Sequence, residues 1–212
     1  MIMPNILNRL QSEDYTIASK ALKEYMNHGV LDDADLEIIL SLTNKLIVGD
    51  FLEENQNFSD GQLQILETYI IQNIDDKNRL FVSDLIAFAT DWGLTLPYKR
   101  CIEFLEKYDD DNLYVQIASI EYIFENFKTF YFDEIYTTLT NILNNVEVNQ
   151  SVQVRAAFIL YRFTFQQKFL NELTDLVNNG SELNKEVLKN ILAVDFNKPK
   201  YFGDHDMLAT LF

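Results

Sequence analysis

Apolar and polar positions along this chain alternate with the period of a helix. Within the stretch from Asn112 to Phe165, the set Val115, Ala118, Ile120, Tyr122 and Phe124 returns thirty-nine positions later as Val154, Ala157, Ile159, Tyr161 and Phe163. A different helical pattern, Asp133 to Val146, lies between the copies, and a polar turn precedes each. The unit is therefore a helix, a turn, a second helix, and then the first helix again, which is how a stacked helical repeat is written in sequence. At about 100° per residue, Val115, Ala118 and Tyr122 fall on one helix face, with Ile120 and Phe124 nearly opposite. A helix apolar on two faces needs neighbours on both sides. The small alanine lets one of them approach closely.

The same periodicity predicts about ten antiparallel helices. The first runs from Ser12, a candidate N-cap, to Gly29 as a C-terminal glycine. Asp32, Asp33 and Asp35 open the second, where acids suit the positive end of the helix dipole; it continues to about Val48. Gly49 to Ser59 is the longest expected linker before the tail. Further helices are expected over Asp60–Ile74, Arg79–Asp91, Pro97–Tyr108, the segment after Asp109–Asn112, Asp133–Val146, Ser151–Phe165, Phe169–Val177 and Glu182–Val194. Pro4 to Leu10 has room for one short helical turn. Trp92 to Pro97 reads as a turn. No segment has a convincing strand pattern. The expected organisation is one helical domain, residues 1–194, and a tail, residues 195–212, packing on or near the last repeat and partly helical at Met207 to Leu211.

Composition narrows the function classes. The 212 residues are 48% apolar, enough for a substantial core, and contain only 6 Gly and 3 Pro, which favours long helices joined by short polar turns. No run of about 18 apolar residues occurs, so no membrane span is expected. The amino terminus lacks a basic region followed by an apolar one, so no signal peptide is expected. Cys101 is the single cysteine; it shares an apolar face with Ile102 and Leu105 and reads as a small buried hydrophobe. A cytoplasmic location follows from this cysteine usage as an expectation. The net charge of −16, from 17 Lys plus Arg against 33 Asp plus Glu, argues against binding nucleic acid or an anionic membrane surface. It suits a basic protein partner, and it also suits simple solubility.

The motif Val154-Arg155-x-Ala157, with Val115-Gln116-x-Ala118 as its second copy, resembles the inner helix of the HEAT-like and armadillo-like repeat superfamily. Gln116 stands where that pattern has arginine. The resemblance covers Arg79 to Val194 best and the N-terminal part by periodicity only. It implies an all-α fold, an α-α superhelix or solenoid of right-handed sense, which works by binding other macromolecules.

Alternating helix direction places every second connection on the same edge of such a stack. One edge collects acids: Asp32, Asp33 and Asp35; Asp75 and Asp76; Asp109, Asp110 and Asp111; Glu147; and Glu182. The other collects aromatics: Phe51 and Phe58; Trp92; Phe127, Phe130, Tyr131 and Phe132; Phe165; and Phe196. The acids either cap helices or face a basic partner, and the aromatics either fold back onto the stack or anchor a protein. The expected binding edge is the acidic rim at Asp75, Asp76, Asp109, Asp110 and Asp111. The aromatic edge at Trp92, Phe130 and Tyr131 is the alternative.

Catalytic signatures are absent from the sequence. It has two histidines: His28, near a helix C-terminus, and His205, in the triplet Asp204-His205-Asp206 on the tail. No zinc-protease, Walker, dinucleotide or nucleophile-elbow motif occurs. No acidic run has the alternation, turn glycine and distal glutamate of a calcium loop. Base chemistry on a HEAT-like scaffold would need a cationic channel, which this composition does not offer. No cofactor or metal is expected. The expected function is non-enzymatic protein binding, in its most specific form an acidic immunity protein occupying the cationic site of a toxin. A general scaffold or adaptor is the alternative, and a hydrolase or lyase on the helical scaffold a third.

Overall fold

The computed structural model describes residues 4–28, 31–55, 57–126 and 131–195. Among them the chain is all-helical, with twelve α-helices, one 3-10 turn at Asp110–Asn112 and no strand. No helix among the described residues is long and apolar enough to cross a membrane. The chain divides into two compact units, Met1–Tyr98 and Lys99–Phe212. The expected C-terminal glycine Gly29 and the tail segment Met207 to Leu211 lie outside the described residues.

The first unit holds α1 (Pro4–Leu10), α2 (Tyr15–His28), α3 (Asp33–Leu40), α4 (Lys45–Glu54), α5 (Asp60–Asn73) and α6 (Arg79–Asp91). Helix α2 packs on α1 and α4, α4 also on α6, and α5 on α3 and α6. Two of these helices exceed the predicted set. Pro4 to Leu10 is a full helix because Ile6 and Leu10 are buried. The run predicted from Asp32 to Val48 is two helices. The Ser41 N–H bonds back to the carbonyls of Glu37, Ile38 and Ile39, and the Ser41 hydroxyl donates to the Ile38 carbonyl at 2.7 Å, closing α3. Leu42 in the following turn is buried, so the apolar period passes through the break and conceals it. Helix α4 then extends to Glu54, which makes helix of much of the expected linker.

Local side-chain caps open several of the helices. Asp32 accepts from the Asp35 N–H at 2.8 Å, and Ser59 with Gln62 forms a reciprocal capping box on α5. At α2 the cap is Asp14, which accepts from the Thr16 N–H at 2.8 Å; Ser12, the expected cap, instead accepts from the Asp14 N–H.

The second unit holds α7 (Tyr98–Leu105, beginning at the dividing residue), α8 (Leu113–Asn126), α9 (Phe132–Asn144), α10 (Gln150–Thr164), α11 (Gln167–Asn179) and α12 (Glu182–Asp195). Helix α10 touches α8, α9, α11 and α12. Eleven of its fifteen residues are buried, so no apolar face is left to solvent. Val115, Ala118, Ile120, Tyr122 and Phe124 of α8 are buried on both faces as well. Buried amides tie these helices end to end. Gln116 donates to the Leu105 carbonyl, Gln153 to the Ile142 and Asn145 carbonyls, and Asn184 to the Leu176 carbonyl. Each supplies a donor to a carbonyl at the end of the preceding helix, where no intrahelical partner exists. Cys101 is fully buried, and burial pushes its thiol up to about 12, so it is a packing residue and not a nucleophile.

Phe158 is fully buried and meets the Phe124 ring edge-on at 5.8 Å. Phe158→Ala should therefore lower the unfolding free energy by roughly 3–5 kcal/mol, as measured by urea denaturation. A loss below about 1 kcal/mol would contradict this packing.

Candidate functional site

A chemically distinctive concavity lies within the first unit, between α4 and α6. It is a cleft of about 610 Å³ lined by Gly49, Leu52, Glu53, Asn55, Asp84, Ala87, Phe88, Asp91 and Trp92. On α6 the lining residues 84, 87, 88 and 91 follow helical spacing, on the opposite side from the core residues Val82, Leu85, Ile86 and Ala89. On α4, residues 49, 52 and 53 do the same.

Gly49 sets the approach of the two helices. A Cβ at this position would lie 2.5 Å from the Asp84 Oδ2, so any side chain there would push the carboxylate away. At the far end, α6 stops on Trp92. Gly93 follows with φ 64°, a left-handed conformation that glycine adopts without a Cβ clash. The Leu94 N–H bonds to the Ala89 carbonyl at 2.9 Å and the Gly93 N–H to the Thr90 carbonyl at 3.3 Å, the paired bonds of a Schellman end. That end holds Trp92 against Phe88, with ring centroids 5.8 Å apart and planes 29° apart. Phe58 meets both rings edge-on, at 5.3 Å from Trp92 and 5.5 Å from Phe88, and it also contacts Phe51 at 5.9 Å. One wall of the cleft is thus a rigid aromatic cluster.

The other wall is anionic. Burial, and then the charges of Glu53 and Asp50, push the Asp84 carboxyl up to about 6. Asp50 is engaged by the Tyr15 hydroxyl, which donates to it at 2.8 Å. Three carboxylates line the cleft among the described residues, and no Lys or Arg does. The Asn55 side-chain nitrogen is buried without a hydrogen-bond partner.

Of the residues expected from sequence, Trp92 lines this cleft and the five rim aspartates do not. Asp75 and Asp76 belong to the first unit and Asp109, Asp110 and Asp111 to the second. Asp76 accepts from the Asn78 N–H at 2.8 Å, and Asn78 in turn caps α6. Asp109 accepts from the Asn112 N–H at 3.0 Å at the start of the 3-10 turn. Both therefore cap local structure, while Asp75 and Asp111 are exposed. Splitting the Asp32–Val48 run adds one helix between Asp32 and Asp75.

Of the aromatic edge, Phe51, Phe58 and Trp92 meet in the cleft wall. In the second unit Tyr131 is half-buried just before α9, and Tyr136 contacts Phe132 and Phe169 under Lys168. The Phe132, Tyr136 and Phe169 rings fold back onto their own unit. Phe165 is 65% exposed, at the left-handed end of α10. Phe127, Phe130, Phe196 and the Asp204-His205-Asp206 triplet lie outside the described residues, as does the side chain of His28. Among the described residues no group of three or more His, Cys, Asp or Glu side chains is placed to hold a metal.

Sequence reasoning did not find Asp84, Glu53, Gly49 or Asn55. The available signal was a glycine inside a helical period and an aspartate, Asp84, within a largely apolar helical run; in the sequence Gly49 reads as the start of a linker. No protein-family model, curated protein or solved structure matches this chain.

Asp84 generates a testable stability effect. Its carboxyl sits above the ordinary value of 3.8 in the fold, so the folded state binds more protons than the unfolded state between that value and about 6. The Asp84 contribution to stability therefore rises as pH falls across this window, and ionised Asp84 is a net cost at pH 7. Asp84→Asn should stabilise the first unit at pH 7 by on the order of 1 kcal/mol, discounted because the group is only half-buried. The gain should vanish near pH 4. Thermal denaturation of both proteins across that range checks it, and a destabilised variant at pH 7 would contradict the assignment.

Proposed function

We propose that this chain is a non-enzymatic protein-binding module, built as a HEAT-like α-α superhelix, that engages a basic polypeptide through its acidic surface. The helix contacts support the superhelical part. In the first unit α2, α4 and α6 form one contiguous row, and in the second α8, α10 and α12 do. Contact between each helix and the next but one is what stacked helix pairs produce. One observation carries the binding part: an open cleft whose described lining has three carboxylates and no cation. A chain of net charge −16 would steer a basic partner toward such a surface.

The most specific form of this reading is an immunity protein that blocks the cationic site of a toxin; a scaffold or adaptor role uses the same surface. The enzymatic alternative, a hydrolase or lyase, draws its support from Asp84. A carboxyl near half-protonation at about pH 6 suits proton transfer. The described cleft offers only other carboxylates as its partner and no Ser, Cys, His or Lys, so binding is the better-supported use.

The test is a comparison of wild type with the variant carrying Asn at Asp75, Asp76, Asp109, Asp110 and Asp111. Asparagine keeps much of the capping capacity and removes the charge. The wild type should capture a basic protein from source cells at low salt and release it at high salt. The variant should keep its helical circular dichroism and associate more slowly with that protein, with a weaker salt dependence. Capture of a neutral or acidic protein, insensitive to salt, would overturn the basic-partner reading. Equal association rates for the two proteins would remove the five rim aspartates from the interface.

A further inference from the structure

We propose that the α4–α6 cleft receives a single lysine or arginine side chain of the basic partner, with the cationic head between Asp84 and Glu53 and the aliphatic stem against Trp92 and Phe88. The inference rests on the proposed binding function and names the group that the site would recognise. Four separate features of the cleft converge on that chemistry.

The first is electrostatic. Asp84 and Glu53 face the same space from neighbouring helices, and their mutual repulsion is left standing. A cation placed there relieves it, whereas an anion or a phosphate would add to it. The second is the wall. Trp92 and Phe88 are held by the Schellman end and by Phe58, so their orientation costs nothing on binding. Aromatic rings beside a carboxylate suit the long apolar stem and charged head of Lys or Arg, through stem packing and cation–π attraction. The third is the unpaired Asn55 amide nitrogen. A buried donor without a partner is costly, and a rotation of the Asn55 side chain would bring it to the main-chain carbonyl of a bound peptide. The fourth is size. The cleft, about 610 Å³, exceeds one side chain and accommodates the flanking main chain as well. Gly49 keeps that space open, because a side chain at this position would displace Asp84.

Binding of a cation must also couple to the proton on Asp84. The charges acting on that carboxyl are Glu53 and Asp50, both from α4; none is contributed by α5, which also packs on α6. A bound ammonium or guanidinium opposes both. Affinity should therefore rise between pH 5 and pH 7 as Asp84 ionises.

Trp92 is the only tryptophan in the chain, so its emission reports on this cleft alone. The full chain is titrated with the peptide acetyl-Gly-Lys-Gly-amide and with its norleucine counterpart, which keeps the stem and lacks the charge. The lysine peptide should change Trp92 emission saturably below about 10 mM, more tightly at pH 7 than at pH 5, and the norleucine peptide should not. Asp84→Asn with Glu53→Gln should weaken binding about tenfold or more. Ala87→Phe, which narrows the cleft from an exposed position without changing charge, should weaken it too. Glu37→Gln, which removes one carboxylate in the separate groove between α3 and α5, should leave it unchanged. Absence of a saturable lysine response, an equal norleucine response, or full binding by the Asp84/Glu53 double variant would overturn the cleft assignment. Salt-sensitive capture of a basic protein would still stand in those cases, so failure of the cleft and failure of the proposed function are read separately.

Discussion

A helix with apolar side chains on opposite faces has no stable position at a surface, and α10 is such a helix. Its burial is the constraint around which the second unit is arranged. Val152, Val154, Ala156, Ala157, Phe158, Ile159, Leu160 and Tyr161 are all buried, so neighbours must come from both sides; α8 and α12 lie on α10 together with α9 and α11. Among the described residues no α-helix exceeds 15 residues, a length at which helices are marginal alone in water. The stacking of these faces, more than intrinsic propensity, therefore supplies the stability. Close packing at alanines also leaves little room for loose ends. This is why Gln116, Gln153 and Asn184 are buried, each bonded to a carbonyl at the preceding helix end.

The first unit follows the same rule through α2, α4 and α6, and its cleft arises where the rule is relaxed. Gly49 removes a side chain from α4 and Ala87 presents only a methyl from α6, so the outer halves of the two helices do not fill the space between them. The space is lined by carboxylates that are costly to bring together. Asp84 carries part of that cost as a raised pKa. A fold selected for stability alone would place Asn or a cation at such a position. Retaining two repelling carboxylates beside a fixed aromatic wall is consistent with a site kept for a ligand, since functional sites are where local stability is given up.

The acidic residues divide into two physical kinds. Asp14, Asp32, Asp76 and Asp109 accept backbone N–H bonds at helix starts and turns, and they explain themselves by capping. Glu53 and Asp84 cap nothing. Net charge alone does not separate these kinds, although they differ in what neutralisation does: removing a cap costs stability, and removing Asp84's charge restores it.

The sequence by itself determined the all-helical class, the boundaries at polar turns, the two-faced burial of α8 and α10, and the inert, buried state of Cys101. Each of these depends on residues within a turn or two of one another, where periodicity and capping act directly. The break at Ser41 was not legible, because buried Leu42 kept the apolar period intact across it. Tertiary structure alone decided the cleft. Gly49 and Asp84 lie far apart in the chain, and nothing local to either announces the other. The shift at Asp84 needs Glu53 and Asp50 from another helix, and the Trp92 wall needs Phe58 from a third segment. Periodicity identifies which face of a helix turns inward. Which helix stands opposite, and how closely, depends on side-chain volumes at the contact, and that is where the chemistry of this protein resides.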